Sequence, residues 1–223
     1  IGFGLSDKPE SLEGSPQSHA QNLIHFIESL NLTDITLIVH DFGGPIGLGA
    51  AINAPEKIRR VVLFNTWLWA TQQNKSVQQI DKMVNNWLGR FLYLNLNLSP
   101  KFLLKQGFSD KSQLTKNIHR HYIKPFPSKN SRYGLLKIAQ ALAGSSDWYA
   151  QKWDQLGRLE NKDWLIIWGM EDSFITPEYL DKWQKRLPQA ELHKLDCGHF
   201  VPEEKTGAVL AYLQKFMQTE IQR

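Results

Sequence analysis

The sequence predicts an α/β protein, a mostly parallel β-sheet with a helical segment inserted between two of its strands. Three observations predict it. Apolar runs at 35–40, 60–65 and 164–168 have the continuous character of strands buried on both faces of a parallel sheet. Helical stretches separate and follow these runs, as parallel crossover units require. The alternation breaks once, from 67 to about 160, where only helical periodicity is found.

Taken in order, residues 1–15 are rich in Gly, Ser, Pro and charge and read as a loop. Ser15-Pro16 opens a helix, with proline in the first turn and Leu23, Phe26, Ile27 and Leu30 as its apolar face. The strand 35–40 follows, then a helix over 44–54 whose Gly47, Gly49, Ala50 and Ala51 suit close packing on a sheet. The strand 60–65 comes next. In the break, Val77, Ile80, Met83, Val84 and Trp87, then Leu135, Leu136, Ile138, Ala139 and Leu142, recur at helical spacing, punctuated by Pro100, Pro125 and Pro127. The strand 164–168 resumes the sheet. Residues 190–195 form a shorter, alternating strand near an edge, and 178–187 and 204–218 are amphipathic helices. The chain therefore divides into a first core part at 1–66, a helical cap or lid at 67–160 and a second core part at 161–223.

Composition narrows the class. At 223 residues the chain suits one large domain, or one with a sizeable insertion. The formal charge of +4 is modest and the basic residues are scattered, which argues against nucleic-acid binding. No apolar run reaches the roughly 20 residues that span a bilayer, so no membrane partner is expected. The single Cys197 allows no internal disulfide and fits a reducing, cytoplasmic setting. The histidines at 19, 25, 119, 121 and 193 read as surface residues, and their spacing makes no metal site.

Asp41 is the most informative residue. The run Ile35 to Val39 ends at His40-Asp41-Phe42-Gly43-Gly44, and a helix-like stretch follows. A carboxylate at the apex of a strand-to-helix turn has its side chain exposed, with a helix N-terminus aimed at it, which is the placement a nucleophile needs. The loop after 164–168 carries Asp172, and the loop after 190–195 carries His199. In a parallel sheet all three loops share the C-terminal edge, where ligands bind. A carboxylate is ionised at neutral pH and attacks carbon without losing a proton. His199, oriented by Asp172, would then deprotonate the water that hydrolyses the resulting ester, and the Phe42 backbone N–H would stabilise the oxyanion. Each residue also has a structural role open to it. Asp41 and Asp172 suit helix caps, and His199 suits a loop. Glu171 stands beside Asp172 as a substitute acid. His40 points away from the site if the strand alternates, and Cys197 reads as a small apolar core residue.

Four segments carry a family resemblance: Gly2 to Pro9 (GFGLSDKP), Val39 to Gly44 (VHDFGG), Phe64 to Trp67 (FNTW) and Gly198 to Glu204 (GHFVPEE). With the chain order nucleophile, acid, histidine they resemble the haloalkane dehalogenase branch of the α/β-hydrolases. The resemblance implies an α/β-hydrolase-type sheet, of which this chain holds the C-terminal part, under a helical cap. It implies Asp41 as nucleophile, His199 as base and Asp172 as acid, since the position after strand 60–65 is Asn65. It implies a small apolar substrate, a halogenated alkane or an epoxide, and no cofactor or metal. On the oxyanion and halide side the candidates are Phe42, Asn65 and Trp67, with Trp69, Trp87, Trp148 and Trp153 as further indoles whose ordinary role is packing.

Two departures stand out. The family places Trp directly after the nucleophile to hold the leaving halide, and this chain has Phe42. The family also carries its first strands and an oxyanion loop ahead of the GFGLSDKP segment, which here begins the chain. Strand 35–40 is then expected to be an exposed apolar edge, in a truncated product or one paired with a partner segment that supplies those strands. The expected activity is haloalkane dehalogenation. The alternatives are epoxide hydrolysis, for which Tyr93, Tyr122, Tyr133 and Tyr149 are available phenols, and an inactive relative that binds a ligand or partner.

Overall fold

The computed structural model describes residues 1–218. Helix α1 (Pro16–Ser29) leads into β1 (Ile35–Val39), α2 (Gly43–Asn53) and β2 (Ile58–Leu63). Helices α3 (Lys75–Asn85) and α4 (Trp87–Leu96) follow, then a wide turn at Ser99–Leu103 that runs into the short α5 (Leu104–Gln106). Next come α6 (Lys116–Ile123), α7 (Tyr133–Gly144) and α8 (Ser146–Asp154). The sheet resumes with β3 (Asp163–Gly169), α9 (Pro177–Arg186), β4 (Glu191–Leu195), α10 (Val201–Glu204) and α11 (Thr206–Gln218). The strands lie in the order β1-β2-β3-β4, all parallel.

Strand periodicity sorts the core into two layers. Val61 and Leu63 of β2, with Trp164, Ile166 and Trp168 of β3, face Leu48, Ile52, Leu180 and Trp183 of α2 and α9. Val62, Phe64, Leu165 and Ile167 face the other way, onto Val209 and Phe216 of α11 and onto Cys197. Each fully buried Leu, Ile or Val contributes about 1.5–3 kcal/mol, so helices on both faces are required to keep β2 and β3 dry. The segment between β2 and β3 is helical among the described residues and has its own small cluster, Val84, Tyr93, Leu94, Leu136 and Ala139.

Several local expectations need correction. Strand β1 is not buried on both faces. It is the exposed edge that the second departure from the family leads one to expect: Ile38 is 48% exposed and only Val39 is buried. The apolar face of α1 is only partly covered, since Ile27 is buried while Phe26 and Leu30 are exposed. Trp87 does not extend α3. Asn86 separates the two helices and caps α4 by accepting from the Gly89 N–H at 2.8 Å, which leaves Trp87 78% exposed at the start of α4. The N-terminus of α1 follows the sequence signal, with Ser15 Oγ accepting from the Ser18 N–H at 3.1 Å. No helix among the described residues is long and apolar enough to cross a membrane.

Candidate active site

The parallel register brings the ends of all four strands to one edge, so the loops that follow them converge. Asp41 stands at the apex of the β1–α2 turn with φ +49°, a left-handed conformation that costs an ordinary L-residue energy. Four hydrogen bonds impose it. The Asp41 N–H donates to the Asn65 carbonyl (2.9 Å) and the Gly43 N–H to the His40 carbonyl (2.8 Å). The Asp41 carbonyl accepts from the Gly44 N–H (2.9 Å) and from Thr66 Oγ1 (2.6 Å). Close packing behind the turn depends on glycine. A Cβ on Gly44 would lie 1.7 Å from Thr66 Oγ1, and one on Gly47 would lie 2.5 Å from Val39 Cγ1. Backbone strain over-determined by its surroundings marks a functional position.

His199 comes to Asp41 from the β4–α10 loop and Asp172 from the β3–α9 loop. His199 Nδ1 is 2.7 Å from Asp172 Oδ2, both side chains being buried. Asp172 Oδ1 accepts from the Phe174 and Ile175 N–H groups at 2.7 and 3.1 Å, so the carboxylate caps its loop and orients the histidine at once. Glu171 is exposed and does not substitute for it. His199 Nε2 lies 3.9 Å from Asp41 Oδ2, too far for a hydrogen bond, which leaves the Asp41 oxygens available. Burial pulls the His199 pKa down, but the hydrogen bond that its ring donates to Asp172 and the charges of Asp41 and Asp172 outweigh it, and the net effect is upward. Burial also pushes the Asp41 carboxyl upward, against the pull of His199 and of a hydrogen bond from the Phe42 backbone N–H.

His40 does not point away from the site. Its ring lies 4.4 Å from that of His199, centroid to centroid, because the chain leaves the strand after Val39 and the alternation no longer applies. Burial, then the neighbouring His199, lower its pKa to about 3, so His40 is a neutral ring packed against His199.

Asp41, Phe42, Trp67, Tyr93, Tyr179 and His199 line a cavity of about 320 Å³. A wider cavity of about 960 Å³ shares Asp41, Phe42 and Tyr93 and extends along α1 and Ile46. Trp67 is buried with its Nε1 unpartnered, its ring edge-on to Phe42 at 5.0 Å and to Tyr149 at 5.8 Å. Asn65 is not brought to this cavity. Its Oδ1 accepts from the Gly169 N–H (2.8 Å) and its Nδ2 donates to the Gly169 and Ile175 carbonyls (3.0 and 3.3 Å), so the amide is consumed in tying β2 to the end of β3. The other indoles are placed by packing or exposure. Trp69 and Trp153 meet edge to face at 5.3 Å, Trp148 covers Gly49, and Trp87 faces solvent. Three histidines are less exposed than expected: His19 lines the wider cavity beside Phe3, His119 Nε2 is 2.7 Å from the Pro100 carbonyl, and His193 stacks on Tyr212 at 3.6 Å. Cys197 is a buried free thiol whose pKa burial pushes up to about 12. Among the described residues no three His, Cys, Asp or Glu side chains are grouped as metal ligands.

The α/β hydrolase fold family model matches residues 1–206. The chain belongs to that family. Its relatives and structural neighbours include haloalkane dehalogenases. It is 31% identical over 227 residues to a cis-3-alkyl-4-alkyloxetan-2-one decarboxylase of Shewanella oneidensis, covering 97% of this chain and 71% of the relative. It is 24% identical over 214 residues to haloalkane dehalogenase 2 of Mycobacterium bovis, covering 95% and 74%. Among solved structures, haloalkane dehalogenase DatA from Agrobacterium tumefaciens superposes with a TM-score of 0.84 at 21% identity, covering 97% of this chain and 77% of that one, a likeness of fold.

Proposed function

We propose that Asp41 is the nucleophile of a two-step displacement at saturated carbon, and that the α3–α8 segment is the cap over its cavity. A carboxylate oxygen attacks the carbon and expels its leaving group, giving an ester on Asp41. His199, its Nδ1 bound to Asp172, takes a proton from water, and the resulting hydroxide attacks the ester carbonyl. Collapse releases the alcohol and restores Asp41. The Phe42 N–H, already on the Asp41 carboxylate, would meet the oxyanion of that step. The observation that carries this reading is the strained Asp41 apex, facing a cavity, with an oriented histidine 3.9 Å away and not hydrogen-bonded to it.

The first substrate class is the halogenated alkane, with the unpartnered Trp67 indole N–H taking the place of a donor at Phe42 toward the departing halide. A second class is favoured by the Shewanella relative, whose name specifies an oxetan-2-one. There Asp41 attack on the ring carbon bearing the ring oxygen opens the lactone to a carboxylate. Loss of CO₂ with cleavage of the new carbon–oxygen bond then gives an alkene and regenerates Asp41, with no water consumed. For epoxide opening, Tyr122 is bound to Glu203 (2.6 Å) and Tyr149 to the Ala141 carbonyl (3.1 Å), while Tyr93 and Tyr179 line the cavity, Tyr179 accepting from Asn74 Nδ2 (2.8 Å). Cys197 as a buried thiol agrees with a cytoplasmic setting.

Incubation with 1-halobutanes, a cis-dialkyl oxetan-2-one and an epoxide, reading halide, CO₂ and diol respectively, assigns the class. His199→Gln should accumulate an Asp41 adduct with the haloalkane, detectable by intact mass. A haloalkane turned over with no adduct at Asp41 would refute the nucleophile.

A further inference from the structure

One motif is not accounted for by the three catalytic side chains, the Glu203-Glu204 pair that follows His199. Glu204 bridges two segments far apart in sequence. Its Oε1 accepts at 2.9 Å from the N–H of Gly198, the residue just before His199. Its Oε2 accepts from the Ser109 N–H (3.1 Å), Ser109 Oγ (2.8 Å) and the Asp110 N–H (3.0 Å), all on the helical insertion. The two segments also touch directly. The His199 N–H donates to the Gly107 carbonyl at 2.7 Å, and the Phe108 and Phe200 rings stack at 4.8 Å. A Cβ on Gly198 would lie 2.3 Å from the Gly107 oxygen, so the backbones meet where no other residue fits.

We propose that Glu204 is a positioning residue that locks the His199 loop to the Gly107–Asp110 turn of the insertion and so sets the aim of the base. Asp172 fixes the ring at Nδ1 only. The backbone that carries the ring is fixed by the Gly198 and His199 N–H bonds, and Glu204 makes one of these while anchoring the turn that makes the other. The carboxylate is suited to this because it accepts on both oxygens and charge-assisted hydrogen bonds are the stronger kind. A loop shift of about 1 Å in a base costs about 10²-fold in the step it serves. That step is ester hydrolysis. Ester formation does not use His199 and is spared.

The proposal rests on Asp41 as nucleophile, and the test separates the two. With 1-bromobutane in rapid-quench experiments on the 223-residue chain, Glu204→Ala should form the Asp41 adduct at close to the unaltered rate and lose it about 10–10²-fold more slowly. Glu204→Asp, which keeps the charge but reaches one segment only, should fall between. Equal slowing of both steps, or of neither, overturns the proposal. Hydrogen exchange judges the clamp without the chemistry: in Glu204→Ala, segments 107–110 and 197–200 should lose protection together. If they stay protected, or only one opens, the clamp is wrong. Should Glu204→Ala not fold, Ser109→Ala removes a single hydroxyl bond, and the same two readouts should move in the same direction by a smaller factor. No adduct in His199→Gln sinks the nucleophile, and hydrogen exchange then decides the clamp alone.

Discussion

Asp172→Asn separates geometry from charge at the base. The amide keeps an oxygen to accept from the Phe174 and Ile175 N–H groups, so the loop should hold its shape. What changes is the atom 2.7 Å from His199 Nδ1, which becomes an NH₂ donor. His199 must then present Nδ1 as acceptor and carry its proton on Nε2, the nitrogen that should take the proton from water. A tautomer inverted in this way costs about 10⁴-fold in a related triad. The loss of a charge-assisted bond to a buried histidine is worth about 1.5–3 kcal/mol. The pH dependence has a definite sign. The His199 pKa is raised above its usual 6.5, so it contributes stability that is full below pH 6.5 and lost as pH rises through the folded value. The same raised value places the acidic limb of ester hydrolysis above pH 6.5, since the base must be neutral. In Asp172→Asn burial remains and the strongest upward influence is gone, so the limb moves to lower pH and the low-pH stability shrinks. Single-turnover decay of the Asp41 ester between pH 5 and 9, with thermal unfolding over the same range, measures both effects (pH window set about the His value). A decay rate within tenfold of the unaltered protein and an unmoved limb would refute the role of Asp172.

Three further outcomes follow from the same geometry. Asp41→Asn should lower turnover by roughly 10⁴–10⁶-fold with the fold kept, since Asn tolerates φ +49°. Turnover within tenfold of the unaltered protein would contradict the nucleophile. Trp67→Phe keeps the ring contacts with Phe42 and Tyr149 but removes the unpartnered N–H, and should weaken halide binding by about tenfold, near 1.4 kcal/mol. Bromide titration by fluorescence reads this, and unchanged affinity removes Trp67 from the leaving-group side. Gly44→Ala forces a methyl into Thr66, the residue that holds the Asp41 carbonyl, and should destabilise the protein by about 1–3 kcal/mol while slowing ester formation. Denaturant unfolding together with burst kinetics measures the pair.

Much of the candidate site was legible because its residues sit where strands stop. Asp41, Asp172 and His199 each follow an apolar run, and parallel strands share one ligand-binding edge, so their convergence follows from topology. Asn65 and His40 were not legible for the opposite reason. Both lie just past a strand end, where the period of two lapses and the side chain's direction depends on which partner it finds. For Asn65 the partner is the Gly169 peptide of the neighbouring strand. The span of the helical insertion was plain from periodicity, whereas the break between α3 and α4 was not, because Trp87 keeps the apolar rhythm while Asn86 caps a new helix.

By itself, the sequence determined the α/β class, the helical insertion and the order of the three site residues, because these depend on local period and composition. Only the tertiary structure decided that Trp67 reaches the cavity with an idle N–H and that Glu204 joins the insertion to the histidine loop. Each of these rests on contacts between residues tens of positions apart, and such contacts leave no period or composition in the chain to be read.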